Sequence, residues 1–212
     1  LVDELHARGV RVLLWVAPGI DVRQKELWNH ARENGWFMQQ AADSRPAMVD
    51  WWTGEASLLD YFNPDAVAWW RTLREPVLDL GIDGWRCEGL DAQVRLAPYS
   101  PHLGRTVERS EYSDLYYRDF FDHTREILGE DRIVTARPVD NDGYGTSGED
   151  VTYAPRDINW AGWVGDQDAF FFGIQDALDN MYWSAEAGYV AFGPDIGGYR
   201  EDGSKLGRSR EV

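Results

Sequence analysis

Residues 81–89 read G-I-D-G-W-R-C-E-G, and this stretch predicts a short buried strand that ends in an acid. Glycines bound a run of strand-forming residues, and the run ends in the acid Glu88. A second acid, Asp166, stands later in the sequence W-V-G-D-Q, again just after a predicted strand. The chain therefore places two carboxyl groups at the ends of two strands, where they can serve as acid, base or nucleophile.

Short apolar runs alternate with helical patterns on both sides of this stretch. The runs that predict strands cover residues 10–16, 82–87, 132–136, 158–163 and 189–192. Between them, apolar residues at helical spacing predict helices, one of which begins at Asn63-Pro64 and another of which ends at Gly188. Because strands that alternate with helices usually pair in parallel, the pattern predicts a parallel sheet.

The fold class that fits this order is α/β, a partial (β/α)8 TIM barrel with about five of its eight strands present. A complete barrel usually takes about 250 residues, and this chain has 212. We therefore predict a single catalytic-barrel fragment over residues 1–212, carrying roughly strands 3 to 7. Because an unclosed barrel leaves strand edges bare, we expect such a fragment to be unstable in isolation. An open doubly wound sheet is the alternative, disfavoured because no glycine-rich phosphate turn follows a predicted strand.

Composition excludes several classes of partner. The net charge of −16 disfavours nucleic acid and anionic membrane surfaces as partners, and no apolar run approaches the roughly 20 residues that span a bilayer. With four histidines in no ligand pattern and one cysteine, we predict no metal and no cofactor. The 11 tryptophans and 10 tyrosines suit either a large core or stacking against sugar rings. The compartment and the oligomeric state stay open.

In a barrel of this kind the active site lies at the carboxyl ends of the strands. The residues that fall there are Trp15, Glu88, Arg137, Asp166 and Asp195. A few acids, one arginine and several aromatic rings suit a neutral, polyhydroxylated substrate, an oligosaccharide or a glycoside. A phosphate would need more basic residues, and a metal would need more histidines or clustered acids.

Cleavage of a glycosidic bond by two carboxyl groups needs one of them ionised and the other protonated. We assign Glu88 as the nucleophile and Asp166 as the general acid, and we expect a partly apolar setting for Asp166 beside Trp163. Arg137 is expected to keep a carboxylate ionised or to hold sugar hydroxyls. The candidate substrate-binding residues are Trp15, Trp85, Arg137, Trp163 and Asp195.

Several motifs occur in one order along nearly the whole chain. They are L-W-V-A-P over 14–18, V-D-W-W-T-G over 49–54, L-D-Y-F-N-P over 59–64, G-I-D-G-W over 81–85, A-R at 136–137, W-V-G-D-Q over 163–167 and D-I-G-G-Y over 195–199. This series resembles the catalytic barrel of glycoside hydrolase family 31, which holds retaining α-glucosidases, α-xylosidases and some α-galactosidases.

The resemblance implies a hydrolase that cleaves terminal α-glycosidic bonds, α-glucosidase-like, with Asp166 as general acid/base. The nucleophile position falls on Glu88, where the family has aspartate, and Pro194 stands where the family commonly has histidine. The alternative is therefore a catalytically impaired relative that binds carbohydrate. A third hypothesis, a metal-dependent barrel hydrolase, is disfavoured by the missing ligand histidines.

Overall fold

A computed structural model gives the fold, and it describes residues 1–40, 45–51, 54–88, 98–137 and 154–200. Trp52 and Thr53 of the second motif lie outside these described residues. So do residues 89–97 and 138–153, where the sequence predicts loops. The chain divides into two compact units, Leu1–Ile133 and Val134–Val212. The assignment of the whole chain to one catalytic domain stays a prediction.

Where the structure describes it, the first unit combines a parallel strand pair with small antiparallel sheets and four helices. In chain order its elements are α1 (Val2–His6), β1 (Leu13–Val16), β2 (Gly19–Asp21), α2 (Lys25–Glu33), β3 (Met48–Trp51), β4 (Gly54–Leu58), α3 (Pro64–Leu78), β5 (Gly84–Cys87), β6 (Tyr99–Ser100), β7 (Arg105–Thr106) and α4 (Arg109–Leu128). Strands β1 and β5 pair in parallel, in a register that sets Leu13 opposite Gly84 and Val16 opposite Cys87.

Strand β1 is shorter and less buried than its sequence predicts. The apolar run over residues 10–16 predicts a strand enclosed on both faces, but the strand covers only Leu13–Val16. The side chains of Val10 and Trp15 are 47% and 45% exposed. Within the described residues of this unit, β5 is the only strand paired with β1, which makes β1 an edge strand there.

The sequence over residues 36–62 predicts a long loop, and this is wrong, because two strands lie within it. Strands β3 and β4 pair antiparallel, and β4 also pairs antiparallel with β2, which gives the order β2-β4-β3. The side chains of Ala56, Ser57 and Leu58 on β4 are all buried. This sheet joins the segment after β1 to the segment before α3.

Helix α3 begins where the sequence predicts. The side chain of Asn63 accepts hydrogen bonds from the backbone N–H groups of Asp65 and Ala66, at 3.0 and 3.4 Å, and Pro64 occupies the first helical position. Pro76 does not split the helix, because it stands in the last turn before the end at Leu78.

Helix α4 supplies most of the large buried side chains of the first unit. Tyr112, Tyr116 and Phe120 are fully buried on one face of the helix, as their helical spacing predicts. The polar link to α3 is the carboxylate of Asp119, which accepts hydrogen bonds from Arg71 at 2.8 Å and Arg74 at 2.5 Å. Because Asp119 and Arg74 are both buried, loss of either one would leave an uncompensated charge in the interior.

A cluster of tryptophans packs on a small core formed by Ile20, Ala31 and Phe37. The ring centroids of Trp36 and Trp69 lie 5.1 Å apart, and those of Trp69 and its neighbour Trp70 lie 6.0 Å apart. We call Trp28, Trp36, Trp69 and Trp70 the tryptophan cluster. Its members come from α2, α3 and the segment after α2, so they tie these elements together.

Among its described residues, the second unit has three parallel strands and one helix. Strand β8 (Ile133–Thr135) begins at the last residue of the first unit, and β9 (Asn159–Trp163), α5 (Phe171–Glu186) and β10 (Phe192–Gly193) follow. Strand β9 pairs in parallel with β8 on one side and with β10 on the other. Parallel strands that alternate with helices confirm the predicted α/β class.

Helix α5 buries a face turned by about 90° from the one its apolar stripe predicts. The sequence predicts a buried stripe that includes Phe170, Ile174, Leu178, Met181 and Ala185. The buried residues are instead small or polar, namely Gly173, Ala177, Asn180 and Ser184. Small residues let the helix approach its neighbours closely: a Cβ atom on Gly173 would lie 2.0 Å from the carbonyl oxygen of Asp168. In the structure Ile174 and Leu178 are 38% and 58% exposed.

Within the described part of the chain, no helix combines the length and the apolar character that a membrane crossing requires.

Candidate active site

Glu88 immediately follows the carboxyl end of β5, where the sequence places it. Its backbone N–H donates to the carbonyl oxygen of Val16 at 2.9 Å, which continues the pairing of β5 with β1 by one residue. Its side chain is 15% exposed. The carboxylate is thus mostly enclosed but still open to solvent, as a group that must meet a substrate needs to be.

Donors contact both oxygens of the Glu88 carboxylate. The indole N–H of Trp15, on the neighbouring strand β1, donates a short hydrogen bond to Oε2. The guanidinium of Arg86 lies 3.4 Å from Oε1 and forms an ion pair with it. Charge-assisted hydrogen bonds of this kind fix the orientation of a carboxylate. Trp15 and Glu88 were both predicted for the site, and the structure brings them together.

The backbone around Glu88 is held by Tyr116 from α4. The phenolic hydroxyl lies 3.2 Å from the carbonyl oxygens of both Val16 and Glu88. The Tyr116 side chain therefore links the carboxyl ends of β1 and β5 next to Glu88, the candidate nucleophile. The candidate site also includes Tyr116 and Arg86, which are not among the residues that the sequence predicts for it. The signal for Arg86 was its position two residues before Glu88, which puts both side chains on the same face of an extended strand.

Trp85 takes a packing role, contrary to the prediction that it contacts substrate. The residue is 4% exposed, and its indole N–H donates to the hydroxyl of Thr124 at 2.7 Å. Its ring packs edge-on against Phe120, with centroids 5.3 Å apart. Successive residues of a strand point to opposite faces, so Trp85 faces α4 while Arg86 does not.

Gly84 explains why the motif G-I-D-G-W needs its second glycine. The residue has φ +151°, and a Cβ atom there would lie 1.8 Å from the carbonyl oxygen of Ile133. A side chain at this position would displace β5, and with it the backbone that carries Glu88.

Asp166 lies three residues after the end of β9, with an arginine as its partner. The guanidinium of Arg137, which is 8% exposed, lies 3.0 Å from Oδ2 of Asp166. This differs from the predicted partly apolar setting of Asp166, because pairing of β8 with β9 brings the charged side chain of Arg137 to its carboxylate. The other oxygen, Oδ1, is buried and has no hydrogen-bond partner among the described residues.

Trp163, the last residue of β9, contacts the same arginine. Its ring centroid lies 5.8 Å from the central carbon of the Arg137 guanidinium, within the range of a cation–π interaction. The structure thus brings three predicted site residues of the second unit, Arg137, Trp163 and Asp166, into one cluster.

Asp195 follows β10 and is exposed. It lies at the edge of a cavity of about 260 Å³, which Asp168 and the α5 side chains Ile174, Leu178 and Met181 also line. The carbonyl oxygen of Asp195 accepts a hydrogen bond from the N–H of Gly198 at 3.0 Å, which closes a tight turn.

Metal ligands are missing from the part of the chain that the structure describes. No group of three or more histidine, cysteine or acidic side chains there could hold an ion. Cys87 is buried next to Glu88, and its burial raises the pKa of the thiol well above the ordinary value, which disfavours the thiolate that metals and electrophiles require.

Comparison with known proteins places this geometry in a family. The model of the glycosyl hydrolases family 31 TIM-barrel domain matches residues 1–210. Among curated relatives, an α-xylosidase of Emericella nidulans is 23% identical over 92% of this chain and 23% of its own length. An isomaltosyltransferase of Sporosarcina globispora is 24% identical over 94% of this chain and 18% of its own. The chain thus spans about a fifth of the length of these relatives.

A solved structure gives the same fold. The cycloalternan-degrading enzyme of Trueperella pyogenes, in complex with a covalent intermediate, superimposes with a TM-score of 0.71 at 22% identity. The match covers 93% of this chain and 26% of that enzyme. The prediction of a partial (β/α)8 barrel is confirmed, and the chain belongs to glycosyl hydrolase family 31, with the fold of that family's TIM-barrel domain.

Proposed function

We propose that this chain carries the catalytic carboxyl groups of a retaining α-glycosidase. The observation that carries the proposal is that Glu88 and Asp166 each follow the carboxyl end of a parallel strand, where barrels of this kind hold their active sites. Membership of a glycoside hydrolase family supplies the reaction class.

Glu88 is the proposed nucleophile. Trp15 and Arg86 hold its two oxygens from the same strand pair, so the carboxylate has a fixed direction of attack. It would form a bond to the anomeric carbon as the bond to the leaving oxygen breaks. The product of this step is a covalent glycosyl-enzyme with inverted configuration at that carbon.

Asp166 is the proposed general acid/base. Arg137 holds Oδ2, so Oδ1 is the oxygen that can carry a proton and give it to the leaving glycosidic oxygen. The same oxygen then takes a proton from water, which attacks the anomeric carbon and releases Glu88. Two inversions give net retention of configuration, without a metal or another cofactor.

The proposed substrate is a terminal α-linked sugar, with α-glucoside and α-xyloside as the first candidates. An α-xylosidase and an isomaltosyltransferase among the relatives support this choice of sugars. Trp15, Trp163, Arg137 and Asp195 are the proposed contacts to the sugar. The alternative is a carbohydrate-binding relative that turns over slowly or not at all, and the observation that favours it is the longer acid at position 88.

The test compares the full-length protein with its Glu88→Ala and Asp166→Ala variants on aryl α-glucoside, α-xyloside and α-galactoside. The control is Glu130→Gln, which removes an exposed acid and should leave activity unchanged. We expect one substrate to be hydrolysed, with initial release of the α-anomer detected by NMR. We also expect each alanine variant to lose at least about 100-fold in rate, as general acids and nucleophiles typically contribute that much.

Three outcomes would contradict the proposal. Initial release of the β-anomer would exclude the retaining mechanism. Full activity of Glu88→Ala would remove Glu88 from the nucleophile role. Binding of sugar with no turnover by the natural protein would favour the carbohydrate-binding alternative.

A further inference from the structure

Two segments of the second unit pair with each other next to Asp166. We call residues 164–169 the acid turn and residues 195–200 the glycine loop. The carbonyl oxygen of Gln167 accepts hydrogen bonds from the N–H groups of Tyr199 and Arg200, at 2.8 and 3.1 Å. The N–H of Ala169 donates to the carbonyl oxygen of Arg200 at 2.7 Å. These bonds fix the backbone on the carboxyl side of Asp166.

Gly198 lets the two segments approach this closely. It has φ +80°, and a Cβ atom on it would lie 2.7 Å from the Cα atom of Ala169 and 2.8 Å from its nitrogen. Both contacts are with backbone, which cannot rotate away as a flexible side chain can. Any other residue at position 198 would therefore push the glycine loop off the acid turn and strain its own backbone.

Gln167 closes the acid turn from inside. Its side chain is buried, and its Nε2 donates to the carbonyl oxygen of Val164 at 2.8 Å, so the amide spans Asp166. Gly165 makes room for it: φ there is +124°, and a Cβ atom would lie 2.7 Å from Nε2 of Gln167. The residues on both sides of Asp166 are thus locked to each other and to the glycine loop.

We propose that Gln167 and Gly198 are positioning residues that aim the carboxyl of Asp166 at the leaving oxygen, a role that rests on the proposed acid/base function of Asp166. Arg137 holds Oδ2 of that carboxyl, and the acid turn and glycine loop hold the backbone behind it. A general acid must come within about 2.6–3.2 Å of the atom it protonates. A displacement of about 1 Å can cost roughly 100-fold in rate.

The test uses two variants and a matched control in the full-length protein. Gly198→Ala adds the clashing methyl group, and Gln167→Leu keeps the side-chain volume but removes the donor to Val164. Gly193→Ala is the control, because no atom lies within 4 Å of a Cβ there and the residue ends β10, just before the glycine loop. Each protein is assayed on a pair of aryl glycosides of the sugar that it hydrolyses, with 2,4-dinitrophenol and phenol as leaving groups.

The choice of leaving group isolates the acid step. Dinitrophenolate departs without a proton, whereas phenolate needs one from Asp166. We expect kcat/KM of Gly198→Ala and Gln167→Leu to fall at least about 10-fold on the phenyl glycoside and less than about 3-fold on the dinitrophenyl glycoside. We expect azide, a nucleophile that needs no general base, to raise turnover of the dinitrophenyl glycoside in the same variants. The control should match the natural protein on both substrates.

Equal losses on both glycosides would overturn the inference, since they would indicate a structural defect without loss of proton transfer. Unchanged activity of both variants would overturn it as well. Melting curves identify a variant that fails to fold, and in that case the other variant decides. Asp166→Ala separates the two proposals: if it shows no leaving-group dependence, the proposed function itself is wrong, and if it does while both positioning variants do not, only this inference fails.

Discussion

Glutamate is longer than aspartate by one methylene, and at position 88 that length lets the carboxylate reach the indole N–H of Trp15 on the neighbouring strand. Arg86, on β5 two residues before Glu88, contacts the other oxygen of the Glu88 carboxylate. The surroundings of Glu88 are therefore built for the longer side chain. We infer that Trp15, Arg86 and Glu88 act together, so that a substitution of one of them changes the position of the other side chains.

The substitution Glu88→Asp tests whether these three residues act together. Shortening the side chain withdraws the carboxylate from Trp15 by about 1 Å, and a misplacement of that size can cost roughly 100-fold in rate. We expect kcat of Glu88→Asp on the best aryl glycoside to fall by about that factor, measured against the natural full-length protein. A gain in activity would contradict the inference that these three residues act together, and it would identify the natural protein as an impaired relative.

Trp15→Phe separates positioning of Glu88 from stacking on the sugar. Phenylalanine keeps an aromatic face but removes the N–H, and a hydrogen bond to a charged group contributes about 1.5–3 kcal/mol. We expect kcat to fall about 10-fold or more with KM changed less than about 3-fold. Trp160→Phe, at a strand tryptophan that is 55% exposed, is the control. A rise in KM at constant kcat would instead assign Trp15 to substrate binding.

At the scale of elements, the sequence predicts those whose own residues determine them. Helix α3 begins at Asn63-Pro64 because the capping side chain and the proline act locally. The strands over 48–51 and 54–58 were missed because their stability comes from pairing with each other and with β2, and no apolar run or alternation indicates it. The buried face of α5 was predicted wrongly, because periodicity gives a helix two faces but cannot say which one meets a close neighbour.

The candidate site follows the same rule. The positions of Glu88 and Asp166 after strand ends could be predicted, because the sequence itself indicates where each strand ends. Their partners depend on the register between strands that are distant in sequence. The bonds from Trp15 to Glu88 and from Arg137 to Asp166 could therefore not be predicted.

The burial pattern of α5 makes a direct prediction for stability. Ala177 is buried and Ala185 on the same helix is exposed, so the two give a matched pair for substitution by leucine. We expect Ala177→Leu to lower the free energy of unfolding by about 1–3 kcal/mol through overpacking. Ala185→Leu should change it by less than about 0.5 kcal/mol. Urea denaturation checks both, and equal effects would contradict the assigned orientation of α5.

The start of α4 gives a pH dependence. Hydrogen bonds from Arg105 at 2.7 and 3.0 Å, and from the N–H of Glu108, lower the pKa of Glu111 to about 2 from its ordinary value of 4.5. A lowered carboxyl pKa stabilises the fold above the unfolded value, and this contribution is lost as the pH falls from 4.5 towards about 2. We expect the natural protein to lose more stability than Glu111→Gln between pH 5 and pH 3, measured by urea denaturation at each pH. An identical loss in both would remove Glu111 from the acid response.

The net charge of −16 acts on the whole molecule. Like charges repel in the compact state, and salt screens this repulsion as the Debye length falls from about 30 Å at 0.01 M to about 8 Å at 0.15 M. We expect the melting temperature to rise over this range of salt. KM for a neutral glycoside should stay constant, because an uncharged ligand is not steered by the field. A strong salt dependence of KM would indicate a charged substrate and would count against the proposed sugar.

The tryptophan cluster gives the protein an optical signature. Indoles whose centres lie 5.1 and 6.0 Å apart exchange excitation energy and couple their electronic transitions. The cluster should therefore produce a paired positive and negative band in circular dichroism, together with depolarised fluorescence on excitation of the indoles. Both signals weaken once Trp36 separates from Trp69, so they report on the packing of the segment after α2 against α3, in whatever length of polypeptide these elements are carried.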